Sequence, residues 1–177
     1  MFISSEIISV GKIEYDSVYK AKQLLGILAE TTPYTLNISS LCNSLQASRN
    51  NALKLIDLMD RAALIRRLYS SEKNIKTLVK PEKILFSNTN IMFALSNETD
   101  QGTMRETFLA SQLCVGHSMH MPESGDLAVD GKYLFEVGGR KKGFSQIKDI
   151  KDSFAVSDNM EIGHANKIPL WLFGMMY

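Results

Sequence analysis

The stretch that most constrains this chain is Gly125 to Lys142, GDLAVDGKYLFEVGGRKK, because it carries two acidic side chains on one predicted β-hairpin. Runs rich in β-branched and aromatic residues flank the turn signal Asp130-Gly131-Lys132, in which the glycine can adopt a positive φ. The acids are Asp126 and Glu136. The register of the hairpin decides whether their carboxylates lie on the same face.

The pattern leaves two registers open. A two-residue loop at Asp130-Gly131 would place Asp126 opposite Phe135, so that the carboxylates would point to opposite faces. A three-residue loop with Gly131 near the left-handed region would instead set Asp126 directly opposite Glu136. In that second register the two carboxylates could share a divalent cation such as Mg²⁺, provided that other oxygen ligands and water complete its shell.

Length and charge predict two small domains that meet near Lys80-Pro81. The chain has 177 residues, 45% of them hydrophobic, which suffices for one or two modest cores. Residues 1–80 carry 11 Lys or Arg against 7 Asp or Glu, whereas residues 81–177 carry 9 against 12. Because proline discourages a continuing helix where the charge changes sign, we predict domains at 1–80 and 81–177. The basic leading domain is compatible with a nucleic-acid partner.

We expect the chain to be cytoplasmic and to have no membrane partner. No apolar run approaches the roughly 20 residues of a membrane span. The start MFISSEIISVGK lacks the long apolar core of a secretory signal. Cys42 and Cys114 lie far apart within apolar helical patterns, which predicts reduced core thiols rather than metal ligands.

The first domain is predicted to be a winged helix. Apolar residues at helical spacing predict a helix over 17–29. Asn37 is placed to cap a short helix through Leu45, and Ser48 is placed to cap another to about Ala62. Two β-patterned runs, at 64–69 and 75–79, predict a hairpin appended to these helices.

The helix that starts at Ser48 has polar residues at its N-terminal end, where a recognition helix meets base edges and phosphates. The predicted nucleic-acid-binding residues are Arg49, Asn50, Asn51 and Lys54 on this helix, and Arg66, Arg67, Lys73 and Lys76 on the wing. The alternative is an ordinary solvated surface, because winged helices also serve as docking modules or spacers. The sequence leaves both alternatives open.

The second domain is predicted to be a mixed β-sheet flanked by helices. Thr103-Met-Arg-Glu106 fits a capping box at the start of a helix, which gives Glu106 a structural role. The alternative is that Glu106 is a third carboxylate near the metal. A helical pattern at 144–151 followed by a strand at 154–156 predicts a right-handed crossover onto the sheet.

Other residues of this domain have simpler predicted roles. His117 and His120 have no acidic or cysteine partner at ligand spacing, which favours surface or packing histidines over zinc ligands. Pro169 suits the edge of a sheet. We expect Trp171 and Phe173 to be core or interface residues.

Three segments resemble a known family. They are GTMRETFL at 102–109, FEVGGR at 135–140 with Gln146-Ile147 after it, and NKIPLWLFG at 166–174. They resemble the C-terminal domain of unknown function of bacterial and archaeal AAA-type ATPases, and the winged helix resembles the middle segment of the same proteins. The resemblance spans about residues 15–177. It implies a restriction-endonuclease-like fold, in which the metal-binding acids correspond to Asp126 and Glu136 and the helical glutamate to Glu106.

The chain departs from that pattern in two ways. Active nucleases of the wider superfamily usually carry Lys two residues after the second acid, where this chain has Gly138. Arg140 and Lys141 are the nearest cations and could substitute, although the pKa of arginine is too high for a proton-accepting base. No G-x-x-x-x-G-K-[ST] run occurs, so we expect no ATP site in this chain. The implied partner is the ATPase domain of a longer parent protein.

Two functional hypotheses follow. The chain could be the non-ATPase portion of an AAA-type ATPase-like protein, acting as a DNA- or partner-binding module with a degenerate nuclease-like site. Alternatively, Asp126, Glu136 and Glu106 could bind Mg²⁺ that activates water for hydrolysis of DNA phosphodiesters, with Arg140 and Lys141 as further catalytic residues. The glycine at position 138 favours the first hypothesis.

Overall fold

The computed structural model of this mixed α/β protein describes residues 15–30, 37–70, 81–96, 99–140 and 145–176. The chain divides into two compact units. One comprises the described residues up to Arg67 together with Lys83–Thr99, and the other comprises those of 68–82 together with Asp100 onwards. The boundary predicted at Lys80-Pro81 differs, because it placed Lys83–Thr99 in the second domain.

The predicted helices of the first unit are present, and both predicted caps are confirmed. Their bounds are α1 Tyr15–Glu30, α2 Ile38–Ser44 and α3 Arg49–Arg61. The Asn37 Oδ1 accepts the Ser40 N–H at 3.1 Å, and the Ser48 Oγ accepts the Asn51 N–H at 3.3 Å. Each side chain satisfies one of the amides that the first turn of a helix leaves unpaired.

The apolar stripes predicted for these helices form the core of the first unit. Both sets are buried: Val18, Ala21, Leu24, Leu25 and Leu28 on α1, and Ala52, Leu55, Ile56 and Met59 on α3. Removing a side chain such as Leu24 from water contributes roughly 1.5–3 kcal/mol. Burial of the stripes therefore holds the three helices together, and the opposite side of α3 remains available to solvent.

A two-stranded sheet and a short helix complete this unit. Their bounds are β1 Ile65–Leu68, β2 Lys83–Phe86 and α4 Thr89–Leu95. Asn88 caps α4 by accepting the Asn90 N–H at 2.8 Å. The strand predicted at 75–79, with Lys73 and Lys76 near it, lies outside the described residues.

The second unit is a five-stranded sheet with one long helix before it. The elements are α5 Gln101–Leu113, β3 Met119–His120, β4 Leu127–Val129, β5 Tyr133–Gly138, β6 Ser153–Ser157, β7 Lys167–Pro169 and a 3₁₀ helix at Leu170–Met175. The strand order is β3-β4-β5-β6-β7. Pairing is antiparallel from β3 to β5 and parallel from β5 to β7. The predicted crossover from β5 to a parallel strand is confirmed, and Pro169 lies on an edge strand as predicted.

The acidic hairpin adopts the three-residue-loop register. Val129 pairs with Tyr133 and Leu127 pairs with Phe135. Gly131 has φ +62°, in the left-handed region that the turn requires. Gly125, just before the hairpin, has φ +85°, and a Cβ there would lie 3.1 Å from the Phe135 carbonyl oxygen. Of the two registers that the sequence left open, the structure selects the three-residue loop, and the pairing ends at Leu127, since the Asp126 N–H donates to the Phe135 carbonyl at 2.8 Å.

Helix α5 begins earlier than predicted, and the capping box at Thr103–Glu106 is wrong. The N-cap is Asp100, whose Oδ2 accepts the Thr103 N–H at 2.7 Å and the Thr103 hydroxyl at 3.2 Å. A carboxylate three residues earlier occupies the amide that the box would have used. Glu106 therefore lies in the second turn of α5, where it does not cap the helix.

The helix predicted at 144–151 is also wrong over the described residues 145–152, which form turns. Ile147 is fully buried as predicted, but Ile150 is exposed. The Ser153 hydroxyl lies 2.7 Å from the Ile147 carbonyl and 2.6 Å from the Ile150 carbonyl, and donates there. Burial of Ile147 and the hydrogen bonds from the Ser153 hydroxyl hold this segment against the sheet, although it has no helical hydrogen bonds.

The two aromatic residues near the C-terminus have different environments. Phe173 is buried and meets Phe135 edge-on, with centroids 5.8 Å apart. Trp171 is 53% exposed, and its Nε1 donates to the Met160 carbonyl at 3.2 Å. Phe173 is a core residue, whereas Trp171 is not in the core and its interface role stays a prediction. Within the described residues, no helix combines the length and apolar character needed to cross a membrane.

Candidate functional site

The first two turns of α3 present the polar surface that the sequence predicted. We call Arg49, Asn50, Asn51 and Lys54 the α3 surface, and all four residues are exposed. Across the described ranges, neither Arg49 nor Lys54 forms an ion pair within 4.0 Å. Two cationic side chains and two amide side chains are therefore available to a ligand at one end of one helix.

The predicted wing arginines are placed differently. The Arg67 Nη2 lies 2.9 Å from the Asp57 Oδ1, and its Nε lies 2.8 Å from the Asp60 Oδ2. Arg67 thus forms ion pairs with two carboxylates of α3, and this geometry does not support its predicted contact with nucleic acid. Arg66 is partly buried, and its buried Nε donates to no acceptor within the described part of the chain. The ion pairs of Arg67 do reduce the negative charge of α3, which would otherwise repel phosphate.

The two acids of the hairpin are adjacent, but their carboxylates are engaged differently. Beyond the Leu127–Phe135 pair, the Asp126 N–H donates to the Phe135 carbonyl at 2.8 Å. The Asp126 Oδ2 accepts the Val137 N–H at 2.7 Å, so this carboxylate is anchored to the backbone of β5. Glu136 is 2% exposed in the middle of β5 and interacts with a neighbouring group. A polar group buried to this extent requires such compensation.

Glu106 is not gathered with these two acids into a three-ligand group. It is partly buried on α5 and has interactions of its own. Within the residues that the structure describes, no three His, Cys, Asp or Glu side chains lie together as metal ligands would. The donor set for Mg²⁺ is therefore incomplete here: two carboxylates, one of which has an oxygen already bonded to the Val137 amide.

The cations predicted to replace the missing lysine lie beyond the end of β5. Gly138 is the last residue of that strand and pairs with Ser157. Arg140, two residues later, is exposed. Lys141 lies outside the described residues, so its predicted catalytic role remains a prediction.

One cation at this end of β5 was missed. The Arg105 Nε on α5 donates to the Asp158 Oδ2 at 3.0 Å, and its Nη2 donates to the Gln101 Oε1 at 3.0 Å. A Cβ on Gly139 would lie 3.6–3.7 Å from the carbon and both terminal nitrogens of this guanidinium. Arg105 and Asp158 are 53 residues apart, so no local pattern could have revealed the pair.

A second non-local pair fixes the tip of the acidic hairpin. The His117 Nδ1 lies 2.6 Å from the Asp130 Oδ2, and the Asp130 Oδ1 accepts the Ser118 N–H at 2.9 Å. The hydrogen bond with His117, and after it the Ser118 amide, lower the pKa of Asp130 below its ordinary value of 3.8. His117 lies at the surface, as expected, and its acidic partner Asp130 is brought to it only by the hairpin fold.

Comparisons with known proteins give a family without an assigned function. The model of the family described as Domain of unknown function (DUF8612) matches residues 4–102. The chain is 24% identical over 185 aligned residues to "Uncharacterized protein MJ1637" of Methanocaldococcus jannaschii. That alignment covers 94% of this chain and 39% of the relative, so the chain spans well under half of its length. No solved structure matches the chain.

Proposed function

The chain belongs to the family of the domain of unknown function DUF8612, and from that premise we propose that it is a DNA-binding module. Its first unit acts as a winged helix that holds duplex DNA through the α3 surface. Its second unit is a restriction-endonuclease-like domain whose hydrolytic site is degenerate. The observation that carries the proposal is the exposure of Arg49, Asn50, Asn51 and Lys54 together on the first turns of α3.

The chemistry of the α3 surface matches the groups that duplex DNA presents. Arg and Lys side chains bind phosphate oxygens and release condensed counterions, which gives sequence-independent affinity. Asn side chains can donate to and accept from adenine in the major groove. Ser48 caps the start of α3, and the apolar stripe from Ala52 to Met59 is buried. The residues of the α3 surface lie outside this stripe and are exposed to solvent.

The arrangement of the second unit supports a nuclease-like fold with a binding role. A helix precedes three antiparallel strands, and a crossover leads to parallel strands, with Asp126 just before β4 and Glu136 on β5. Gly138 occupies the position of the lysine that would orient water and stabilise the negative charge that develops on the phosphate during hydrolysis. We infer that the acidic hairpin here serves structure or binding, with DNA or a protein partner as the ligand.

The proposed partner within a longer protein is an ATPase domain. The matching relative is much longer than this chain, since only 39% of it is aligned. The three segments quoted above, at 102–109, 135–140 and 166–174, resemble regions that accompany AAA-type ATPases. We propose that the chain supplies DNA or partner contacts to such a domain, and that ATP is bound there and not by this chain.

Fluorescence anisotropy with a labelled duplex tests DNA binding by the intact chain. The variant Arg49→Ala/Lys54→Ala removes both cations of the α3 surface, and Arg61→Ala removes an exposed cation from the last turn of the same helix as a matched control. We expect the double variant to bind more weakly, with a salt-dependence slope reduced by about 2, and the control to bind like the wild type. DNA binding that is equal in all three proteins would show that α3 is the wrong surface.

A metal-dependent nuclease is the second candidate, favoured by one observation. Asp126 precedes β4 and its carboxylate lies against β5, where its Oδ2 accepts the N–H of Val137, the residue after Glu136, at 2.7 Å. Since a third ligand is not found among the described residues, we derive no hydrolytic step from this pair. Calorimetry with Mn²⁺ on the wild type and on Asp126→Asn decides the matter. If the metal site exists, the wild type binds Mn²⁺ and Asp126→Asn does not. Absence of Mn²⁺ binding by the wild type would exclude the metal-dependent nuclease.

A further inference from the structure

The guanidinium of Arg105, on α5, lies at the carboxyl ends of the parallel strands β5 and β6. Among the described residues, some of its N–H donors have no acceptor. Only 13% of the Arg105 side chain is exposed. Arginine has five N–H donors, and Arg105 uses its Nε for Asp158 and one Nη2 hydrogen for Gln101. Among the residues that the structure describes, no acceptor takes its Nη1 hydrogens or the remaining Nη2 hydrogen, which form a fork that could bind a planar or tetrahedral anion in a bidentate manner.

The surrounding charges leave this fork available. Asp158 binds only the Nε edge of Arg105, while its own N–H donates to the Gly138 carbonyl at 2.8 Å. Asp100, the N-cap that precedes α5, uses its Oδ2 for the amide and hydroxyl of Thr103, and Glu106 on α5 has interactions of its own. Asp158 therefore positions the guanidinium without covering its outer edge, and Asp100 is directed to the helix start.

The glycine turn beside Arg105 brings a second arginine into the same region. Gly139 lacks a side chain, so the guanidinium of Arg105 lies flat beside its backbone at ordinary van der Waals distance from where a Cβ would be. Arg140 follows immediately and is exposed. The carboxyl ends of parallel strands are also where open α/β sheets place their ligands.

We propose that Arg105 and Arg140 form a phosphate-binding site at the carboxyl ends of β5 and β6. The ligand is a phosphate group, supplied either by the DNA backbone or by a free phosphate compound. A guanidinium binds such a group but does not accept a proton, so this site binds and does not hydrolyse. The site belongs to the second unit alone and stands independently of DNA binding by the α3 surface.

The first experiment measures phosphate binding directly. The Nε–H signal of Arg105 is followed in a ¹H–¹⁵N spectrum of the full chain during titration with inorganic phosphate, and matched sodium chloride controls for ionic strength. The variant Arg105→Lys assigns the signal. We expect a saturable shift with phosphate and none with chloride, and Arg61, exposed on α3, should not shift. A signal that responds equally to both salts overturns the proposal.

The second experiment identifies the source of the phosphate. Duplex binding is compared for wild type, Arg105→Lys, Arg140→Ala and the control Arg61→Ala, after thermal melts confirm that each is folded. If DNA supplies the phosphate, Arg140→Ala lowers the salt-dependence slope by about 1 and weakens binding severalfold, whereas Arg105→Lys keeps the charge but loses the bidentate fork, and so weakens binding with little change in slope. If the phosphate titration saturates while DNA binding is unchanged or absent, the site takes a free phosphate compound.

The experiments distinguish a failure of the proposed DNA-binding function from a failure of the proposed phosphate site. Loss of DNA binding only in Arg49→Ala/Lys54→Ala, with no phosphate response at Arg105, supports the α3 surface and overturns the arginine site. A phosphate response at Arg105 in a protein that binds no duplex overturns the DNA-binding function and retains the arginine site. If Arg105→Lys does not fold, Arg140→Ala replaces it, and a phosphate affinity equal to wild type would overturn the pairing of the two arginines.

Discussion

The α3 surface and the carboxyl end of β5 both present arginine, but the chain assembles them differently. Residues of the α3 surface lie between positions 49 and 54, and a single capped helix orients them. At the end of β5, Arg105 comes from α5, Gly139 follows the strand, and Asp158 follows β6. The first surface depends on local helix formation, whereas the second exists only once the sheet and α5 have packed. Local sites can thus be read from sequence, and sites shared by distant elements cannot.

The largest expected effect tests whether burial alone can hold an irregular segment as firmly as a helix. Ile147 lies in turns of the second unit, and Ile56 lies in α3, and both are buried. We expect Ile147→Ala and Ile56→Ala each to lower the free energy of unfolding by about 2–5 kcal/mol, measured by urea denaturation. Ile150→Ala, at an exposed site of the same turns, should change it little. A small effect at Ile147 would mean that the turns are held by hydrogen bonds.

The next effect probes the non-local ion pair. Breaking Arg105–Asp158 with Arg105→Gln should reduce the free energy of unfolding by about 1–2 kcal/mol, because both groups are partly shielded from water. A double-mutant cycle with Asp158→Asn measures the coupling, which should be favourable. Additive effects of the two substitutions would show that the pair contributes nothing beyond its separate side chains.

A comparable local contact should contribute slightly less. Ser48→Ala removes the cap of α3 and should cost about 1 kcal/mol in urea unfolding, since one amide of the first turn loses its partner. Ser48→Asn keeps an acceptor at that position and should retain most of the stability. Equal losses in the two variants would contradict the capping role.

The smallest effect is a pH dependence at the hairpin tip. The pKa of Asp130 is lowered in the folded protein by His117 and Ser118. The stability that its carboxylate contributes is therefore fully present above its ordinary pKa of 3.8 and is lost as the pH falls through the lower folded value. The difference in urea midpoint between wild type and Asp130→Asn should shrink from about pH 5 to about pH 2. A constant difference across this range would exclude the proposed linkage.

Predictions succeeded where one short segment decides the outcome. The caps Asn37 and Ser48 and the buried stripe of α3 needed only neighbouring residues. The three-residue loop was one of two open registers, and the pairing of Val129 with Tyr133 shows that the fold adopts it. Predictions failed where another residue competed for the same group, as when Asp100 replaced Thr103 as the cap of α5.

The same reason explains the partial success at the candidate sites. Exposure of Arg49 and Lys54 followed from helical periodicity alone, but Arg67 turned out to be paired with two α3 carboxylates. The carboxylate of Asp126, just before β4, is hydrogen-bonded to β5 at Val137, the residue after Glu136, while Glu106 is not grouped with them in the described residues. Pairing between elements depends on packing geometry, which sequence spacing does not contain.

By itself, the sequence determined the helices of the first unit and the strands of the acidic hairpin, because caps, periodicity and turn residues act over a few positions. The absence of lysine at position 138 is read directly from the sequence. The tertiary structure alone decided that Arg105 meets Asp158, that His117 meets Asp130 and that Arg67 is withdrawn to α3. Charged side chains take partners according to which elements pack together. That choice is made by burial of the apolar faces and not by the charges themselves.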